Sequence, residues 1–94
     1  MMDEVIPLEF HLSQNYPNPF SEKTTIKYCV PYKTEVTITI YNSEGEFVER
    51  LFKGEKEAGT YEIELDGGNL SEGIYICKIK ANTFIETKKM ILQK

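Results

Sequence analysis

Apolar residues recur at every second position through much of this chain. Val36, Ile38 and Ile40 alternate with Thr37 and Thr39 and lead into Tyr41. A period of two with β-branched residues is the pattern of a half-buried strand. The same parity places Ile26, Tyr28 and Val30 on one face of a strand over 24–30. It places Tyr61, Ile63 and Leu65 on one face of 60–65, and Tyr75, Cys77 and Ile79 on one face of 74–80, with Lys78 and Lys80 opposite. Tyr28, Tyr61 and Tyr75 therefore read as core residues rather than as an exposed sugar-binding platform. Phe10 to Ser13 is a candidate short first strand.

Between these runs lie turn signals: Pro31-Tyr32-Lys33-Thr34, Asn42-Ser43-Glu44-Gly45, Asp66-Gly67-Gly68-Asn69 and Ala81-Asn82-Thr83. Gly45 supplies a positive φ and Asn82 tolerates one. Leu70 reads as a plug behind the third of these loops. Gln14 to Phe20 carries two prolines two apart, which excludes helix and forces extended or turn geometry. Tyr16 and Phe20 are expected to pin that loop to the core edge, and either X-Pro bond can be cis.

Two stretches are less regular. In Glu46 to Lys53, the set Phe47, Val48, Leu51 and Phe52 fits a helical stripe and also a twisted strand with a bulge. The flanking Gly45 and Gly54 and the β-rich surroundings favour strand. In Phe84 to Gln93, Ile85 and Thr87 share one face while Met90 and Leu92 share the other. A β-bulge is therefore expected at Lys88-Lys89, re-aiming the last apolar pair inward. Altogether the chain reads as about seven short strands at roughly ten-residue spacing, a small antiparallel β-sandwich. Residues 1–10, acidic and weakly patterned, read as a leader or linker.

With 94 residues the chain makes one domain, able to bury about 60–70% of its unfolded surface. The net charge of −4 is spread over interspersed acids and bases, which argues against nucleic acid as a partner. No apolar run approaches the roughly 18 residues of a membrane-spanning helix. Met1 to Val5 has neither the basic nor the apolar part of a signal peptide. Cys77 shares the inward face of its strand, whereas Cys29 opposes Tyr28 and Val30. The two are expected to remain unpaired thiols, and no Cys/His metal spacing exists.

Catalytic chemistry finds little support. His11 is the only histidine and no nucleophile elbow is present, so it reads as a surface or edge residue. Asp66, Asn69 and Glu72 offer oxygens without the spacing of a calcium loop and read as turn and capping groups. No cofactor is implied. Lys88-Lys89 with Lys94 reads either as a contact patch for an anionic partner or as edge lysines that deter aggregation. Physics alone favours the second reading.

The order of motifs adds a resemblance. The chain presents Leu12-Ser13-Gln14-Asn15-Tyr16-Pro17-Asn18-Pro19-Phe20, then Thr25-Ile26-Lys27-Tyr28 with Pro31, then Val36 to Tyr41 leading to Gly45. Ala58-Gly59, Leu65-Asp66-Gly67, Gly73-Ile74-Tyr75 and Lys88-Lys89-Met90 follow. In this order, over residues 12–94, the chain closely resembles the C-terminal sorting domain of Bacteroidetes type IX (Por) secretion cargo. It departs from that pattern at Leu65, where the family usually carries Trp, and at Asn82-Thr83, which lacks a common glycine.

The resemblance implies a non-enzymatic module at the C-terminus of secreted enzymes, adhesins and other surface proteins. Such a module crosses the inner membrane behind a separate N-terminal signal and is recognised by outer-membrane type IX machinery. It is commonly cleaved as its passenger is anchored to surface lipopolysaccharide or released. Carried over residue by residue, recognition falls on Gly73, Tyr75, Lys88, Lys89, Met90 and Lys94.

The expectation is thus an all-β, seven-stranded antiparallel Ig-like β-sandwich over 11–94. It would act as a sorting and anchoring signal for an N-terminally fused passenger bound for the cell surface or the exterior. A partner could read its terminal strand by β-augmentation, and a free edge makes a strand-paired homodimer plausible in isolation. The alternative is an Ig-like structural or adhesive module that binds a protein or glycan.

Overall fold

The computed structural model describes residues 7–94. Most of the expected leader over 1–10 lies outside the described residues. Within it, Phe10 stacks on Phe84 with ring centroids 5.2 Å apart and meets Tyr32 edge-on at 5.3 Å.

Seven strands follow in order: β1 (His11–Leu12), β2 (Lys23–Val30), β3 (Thr34–Asn42), β4 (Phe47–Lys56), β5 (Gly59–Asp66), β6 (Gly73–Ala81) and β7 (Phe84–Leu92). They form two antiparallel sheets, β1-β2-β5 and β4-β3-β6-β7. This is the immunoglobulin-type sandwich with its fourth strand moved to the edge of the second sheet. The alternation expected for β2, β3 and β6 is borne out. Ile26, Tyr28 and Val30 face Val36, Ile38, Ile40, Tyr75, Cys77 and Ile79 across one buried core. Tyr61 and Ile63 sit at the core margin with Leu70, and Leu65 is fully buried.

The helix-compatible stripe in β4 has a specific cause. Opposite β3 the pairing runs Ile38↔Phe52 and then Thr39↔Arg50, which skips Leu51. It runs Ile40↔Glu49 and then Tyr41↔Phe47, which skips Val48. Each extra residue is a bulge that reverses side-chain parity. Val48, Leu51 and Phe52 thereby all pack against the core, giving a strand the apolar spacing of a helix.

In β7 the structure overturns the expected bulge. Pairing with β6 runs without a shift from Gly73↔Leu92 to Ala81↔Phe84. Strict alternation puts Phe84, Glu86, Lys88, Met90 and Leu92 on the inner face and leaves Ile85 55% exposed outside. Two charged residues thus take inward parity where the sequence pattern expected apolar ones. They can do so because Glu86 and Lys88 lie at the rim. Their side chains stay about one-third exposed and pair at 3.4 Å, while Met90 and Leu92 further along are fully enclosed. The hairpin closes over Asn82-Thr83, with Asn82 at φ 58° as expected; Gly45 likewise adopts φ 83°.

Tyr75, at the start of β6, donates its hydroxyl to the carbonyl of Ser71 at 2.6 Å. A tyrosine here, two residues before a cysteine and bonded to backbone just upstream, is the tyrosine corner of immunoglobulin-type sandwiches. Cys29 lies on the outer face of β2, and the buried Cys77 lies on the inner face of β6.

Burial pushes the Cys77 thiol up from 9.0 to about 12. Burial, with the neighbouring Tyr61, pushes Tyr28 up from 10.0 to about 12. Both groups are neutral when protonated, so the folded chain keeps protons that the unfolded chain has already lost. Stability contributed this way is complete below pH 9 and falls as pH rises towards 12. Urea unfolding at stepped pH should show that decline, and Cys77→Ala should flatten it between pH 9 and 10, where Cys77 is the earlier of the two groups to titrate.

Candidate recognition surface at the terminal strand

The last residues of β7 are bonded on both edges. On one side lies β6. On the other lies the proline-containing segment from Gln14 to Phe20, more than 70 positions earlier in the chain. The side-chain amide of Gln14 donates to the carbonyl of Lys89 at 2.6 Å. The N–H of Ile91 donates to Asn18 Oδ1 at 2.9 Å. Phe20 donates its N–H to the carbonyl of Ile91 at 2.9 Å, and its own carbonyl accepts from Gln93 at 2.8 Å. A short parallel bridge, Phe20↔Leu92, is the result.

The segment is itself held from beneath. Asn15 is buried, and its amide donates to Thr24 Oγ1 at 2.9 Å and to the carbonyl of Pro17 at 3.0 Å. The Thr24 hydroxyl donates to the same carbonyl at 2.8 Å. The peptide bonds before Pro17 and Pro19 are both cis. Phe20 is buried in the core, as expected; it lies beside Leu92, and Gly67 leaves room for the contact.

Tyr16 departs from expectation. It does not pin the loop to the core; the residue is 80% exposed. The reason is backbone pairing: Tyr16 exchanges both main-chain hydrogen bonds with Thr25 at 2.9 Å. That bridge anchors the main chain and turns the ring outward beside Gln14, Lys27 and Glu62, around an open depression. A large aromatic ring displayed on a rigid loop, with no folding role for the ring, is a candidate contact residue. Sequence reasoning misses it because hydrophobicity alone assigns the aromatic to the core.

The six residues singled out from the sequence fall into three groups. Gly73, Tyr75 and Met90 belong to the architecture. Gly73 opens β6 at φ 153°, a conformation side chains rarely adopt. Tyr75 pairs directly with Met90, and both are buried. Lys88 and Lys89 point to opposite faces of β7, so they do not form one patch. Lys94 is tethered to the loop before β6: its N–H donates to Glu72 Oε1 at 2.7 Å and its ammonium to the carbonyl of Gly68 at 3.1 Å.

The residues weighed as metal or catalytic candidates are otherwise engaged or isolated. Asp66 accepts from the Gly68 N–H at 2.9 Å in an Asx-type turn. His11 sits exposed on β1. No group of three or more His, Cys, Asp or Glu side chains that could hold a metal occurs among the described residues. What the structure assembles instead is a surface: the 14–20 loop, the outer edge of β7 and the Lys94 tether.

Fold and surface together define a small Ig-like β-sandwich whose terminal strand is built into a displayed rim. The family profile of the secretion system C-terminal sorting domain matches residues 14–93, and the chain belongs to that family. It is a non-catalytic sorting signal of the type IX (Por) secretion system. As part of a larger secreted protein it interacts with the secretion machinery and directs export across the outer membrane to the cell surface or beyond. No curated protein and no solved structure matches the chain.

The contact of Phe20 with Gly67 can be tested alone. A Cβ at position 67 would lie 2.9 Å from Phe20 Cε2 and 3.2 Å and 3.3 Å from the Leu92 methyls, all enclosed. Gly67→Ala should therefore destabilise the domain by about 1–3 kcal/mol, the usual cost of overpacking. Denaturant unfolding reads this directly; an unchanged midpoint would mean that the contact is loose.

Proposed function

We propose that the secretion machinery recognises the composite rim rather than the terminal strand alone. In this reading Tyr16 is the aromatic anchor on the loop, and Lys89 and Lys94 supply positive charge at other points of the rim. Gly73, Tyr75 and Met90 hold β6 and β7 in place, and Lys88 acts from the inner rim. Residues 1–10 serve as the linker to the passenger. In isolation the open part of β7 joins a second copy of the chain.

The observation that carries the reading is the hydrogen-bonded union of the 14–20 loop with residues 89–93. Two segments far apart in sequence form one surface, so a receptor can read both at once. The alternative of an adhesive module binding a glycan would be favoured by aromatics gathered on one face. The exposed aromatic residues Tyr16, Tyr32 and Phe47 instead lie on three separate elements.

The test is an export assay in a host with type IX secretion. A signal peptide and a fluorescent protein are fused ahead of residues 1–94. The intact fusion should reach the surface, and a fusion lacking 88–94 should stay in the periplasm. Tyr16→Ala, which removes an exposed ring and no core contact, should fold normally yet reduce surface fluorescence at least about tenfold, a hot-spot-sized loss. Export of the folded Tyr16→Ala fusion at the level of the intact one would contradict the composite-rim reading.

A further inference from the structure

The fold distributes the lysine and arginine side chains unevenly. Lys23, Lys27, Lys33 and Lys88 pair with glutamates. Lys56 lies over the rings of Phe52 and Tyr61 at 4.7 Å and 4.5 Å, and the Lys94 ammonium bonds the Gly68 carbonyl. Arg50, Lys53, Lys78, Lys80 and Lys89 are left, and none of them has an ion-pair partner among the described residues.

These unpaired cations share one surface, the outer face of the β4-β3-β6-β7 sheet. Thr37 and Thr39 alternate with the buried Val36, Ile38 and Ile40 and so point outward. Thr39 pairs with Arg50 on one side and Lys78 on the other, and Thr37 with Lys53 and Lys80. Lys89 pairs with Ile76 in the next row. Two shallow depressions that share Thr37 and Lys80 run along β3 between the basic walls. No acid stands in the rows through Thr37 and Thr39. Glu35 and Glu55 face each other beyond them, at one end of the sheet, where Lys33 bonds Glu55 at 3.6 Å.

The same face carries exposed apolar groups. Phe47, Ile74 and Ile85 are the large hydrophobic residues exposed within strands, and each has outward parity on this sheet. Cations without partners beside exposed apolar side chains suit a membrane surface. The apolar groups enter the headgroup boundary, and long lysine side chains reach the phosphates. A protein interface favours arginine and depletes lysine, whereas all but Arg50 of these cations are lysines. The net charge of −4 does not oppose the contact. The domain is 17 Å across at its thinnest, about twice the screening length of about 8 Å at physiological ionic strength.

We infer that the outer face of the β4-β3-β6-β7 sheet docks on an anionic lipid bilayer. Headgroup phosphates meet the unpaired cations, and Phe47, Ile74 and Ile85 enter the interface. This face stands apart from the loop that displays Tyr16, and its membrane contact does not depend on what the machinery reads.

Flotation of the 94-residue chain with lipid vesicles tests it. The chain should bind vesicles of phosphatidylcholine mixed with phosphatidylglycerol at least about tenfold more strongly than vesicles of phosphatidylcholine alone. Raising the salt from about 0.1 M to about 1 M shortens the screening length from about 10 Å to about 3 Å and should release most of the chain. Lys78→Gln with Lys80→Gln should weaken binding at least about tenfold, at about fivefold per charge. Lys78→Arg with Lys80→Arg keeps the charges and should bind within about twofold of the original. Lys23→Gln with Lys27→Gln makes the same change in net charge on the other sheet, where both lysines are already paired, and should also stay within about twofold. Equal binding to both kinds of vesicle, or to neither, overturns the inference. So does an equal loss in the two glutamine variants. Binding to polyglutamate without binding to anionic vesicles would assign the face to an acidic protein and overturn the lipid reading.

Discussion

The hydrogen bonds from the Gln14–Phe20 segment to the outer edge of β7 are the constraint on which the functional end of this domain depends. A terminal strand at the edge of a sheet would ordinarily expose a row of unpaired N–H and C=O groups, and such rows invite unwanted pairing. Here the last third of β7 is bonded on both sides, with Phe20 buried beneath it and Gly67 leaving the space. The arrangement also ties the chain's end to its beginning. The strand carrying Lys89 holds its position because a loop more than 70 residues earlier is locked by Asn15 and Thr24.

A sorting domain has to present a defined outline to a receptor, and this sandwich does so with few contacts. The tyrosine corner at Tyr75 fixes the turn into β6, and Gly73 accommodates the backbone there. Met90, directly opposite Tyr75, anchors β7 from within. Lys94 closes the rim by bonding back to the loop before β6. Residues that look like a recognition motif in one dimension therefore divide into a buried frame and a displayed surface. Gly73, Tyr75 and Met90 belong to the frame and Lys89 to the surface.

Much of the fold was legible because its strands obey simple parity. Val36, Ile38 and Ile40, and again Tyr75, Cys77 and Ile79, occupy the faces their alternation assigns. Two elements were harder for physical reasons. In β4 two bulges shift the parity, so that Val48, Leu51 and Phe52 take a helical spacing inside a strand. In β7 the inner face includes Glu86 and Lys88, because burial at the rim is shallow enough for a charged pair. A rule that equates inward with apolar therefore invents a bulge. The surface was legible only in part. The proline segment and the terminal strand each stood out in sequence, but nothing in local spacing joins Asn18 to Ile91. Tyr16 reads as a core residue in sequence because hydrophobicity does not reveal that a main-chain bridge to Thr25 turns the ring outward.

Amide hydrogen exchange at single-residue resolution, in solution dilute enough for the chain to be single, most directly tests the latch that the Gln14–Phe20 segment forms on the outer edge of β7. With the latch closed, the amides of Ile91 and Gln93 should be protected along with Lys88 and Met90, which face β6. Those of Ile85 and Thr87 should exchange freely. In Asn18→Ala the protection of Ile91 should collapse while Lys88 and Met90 keep theirs. Free exchange of Ile91 and Gln93 in the unaltered chain, at the rate of Thr87, would contradict the account: the loop would then not hold the terminal strand.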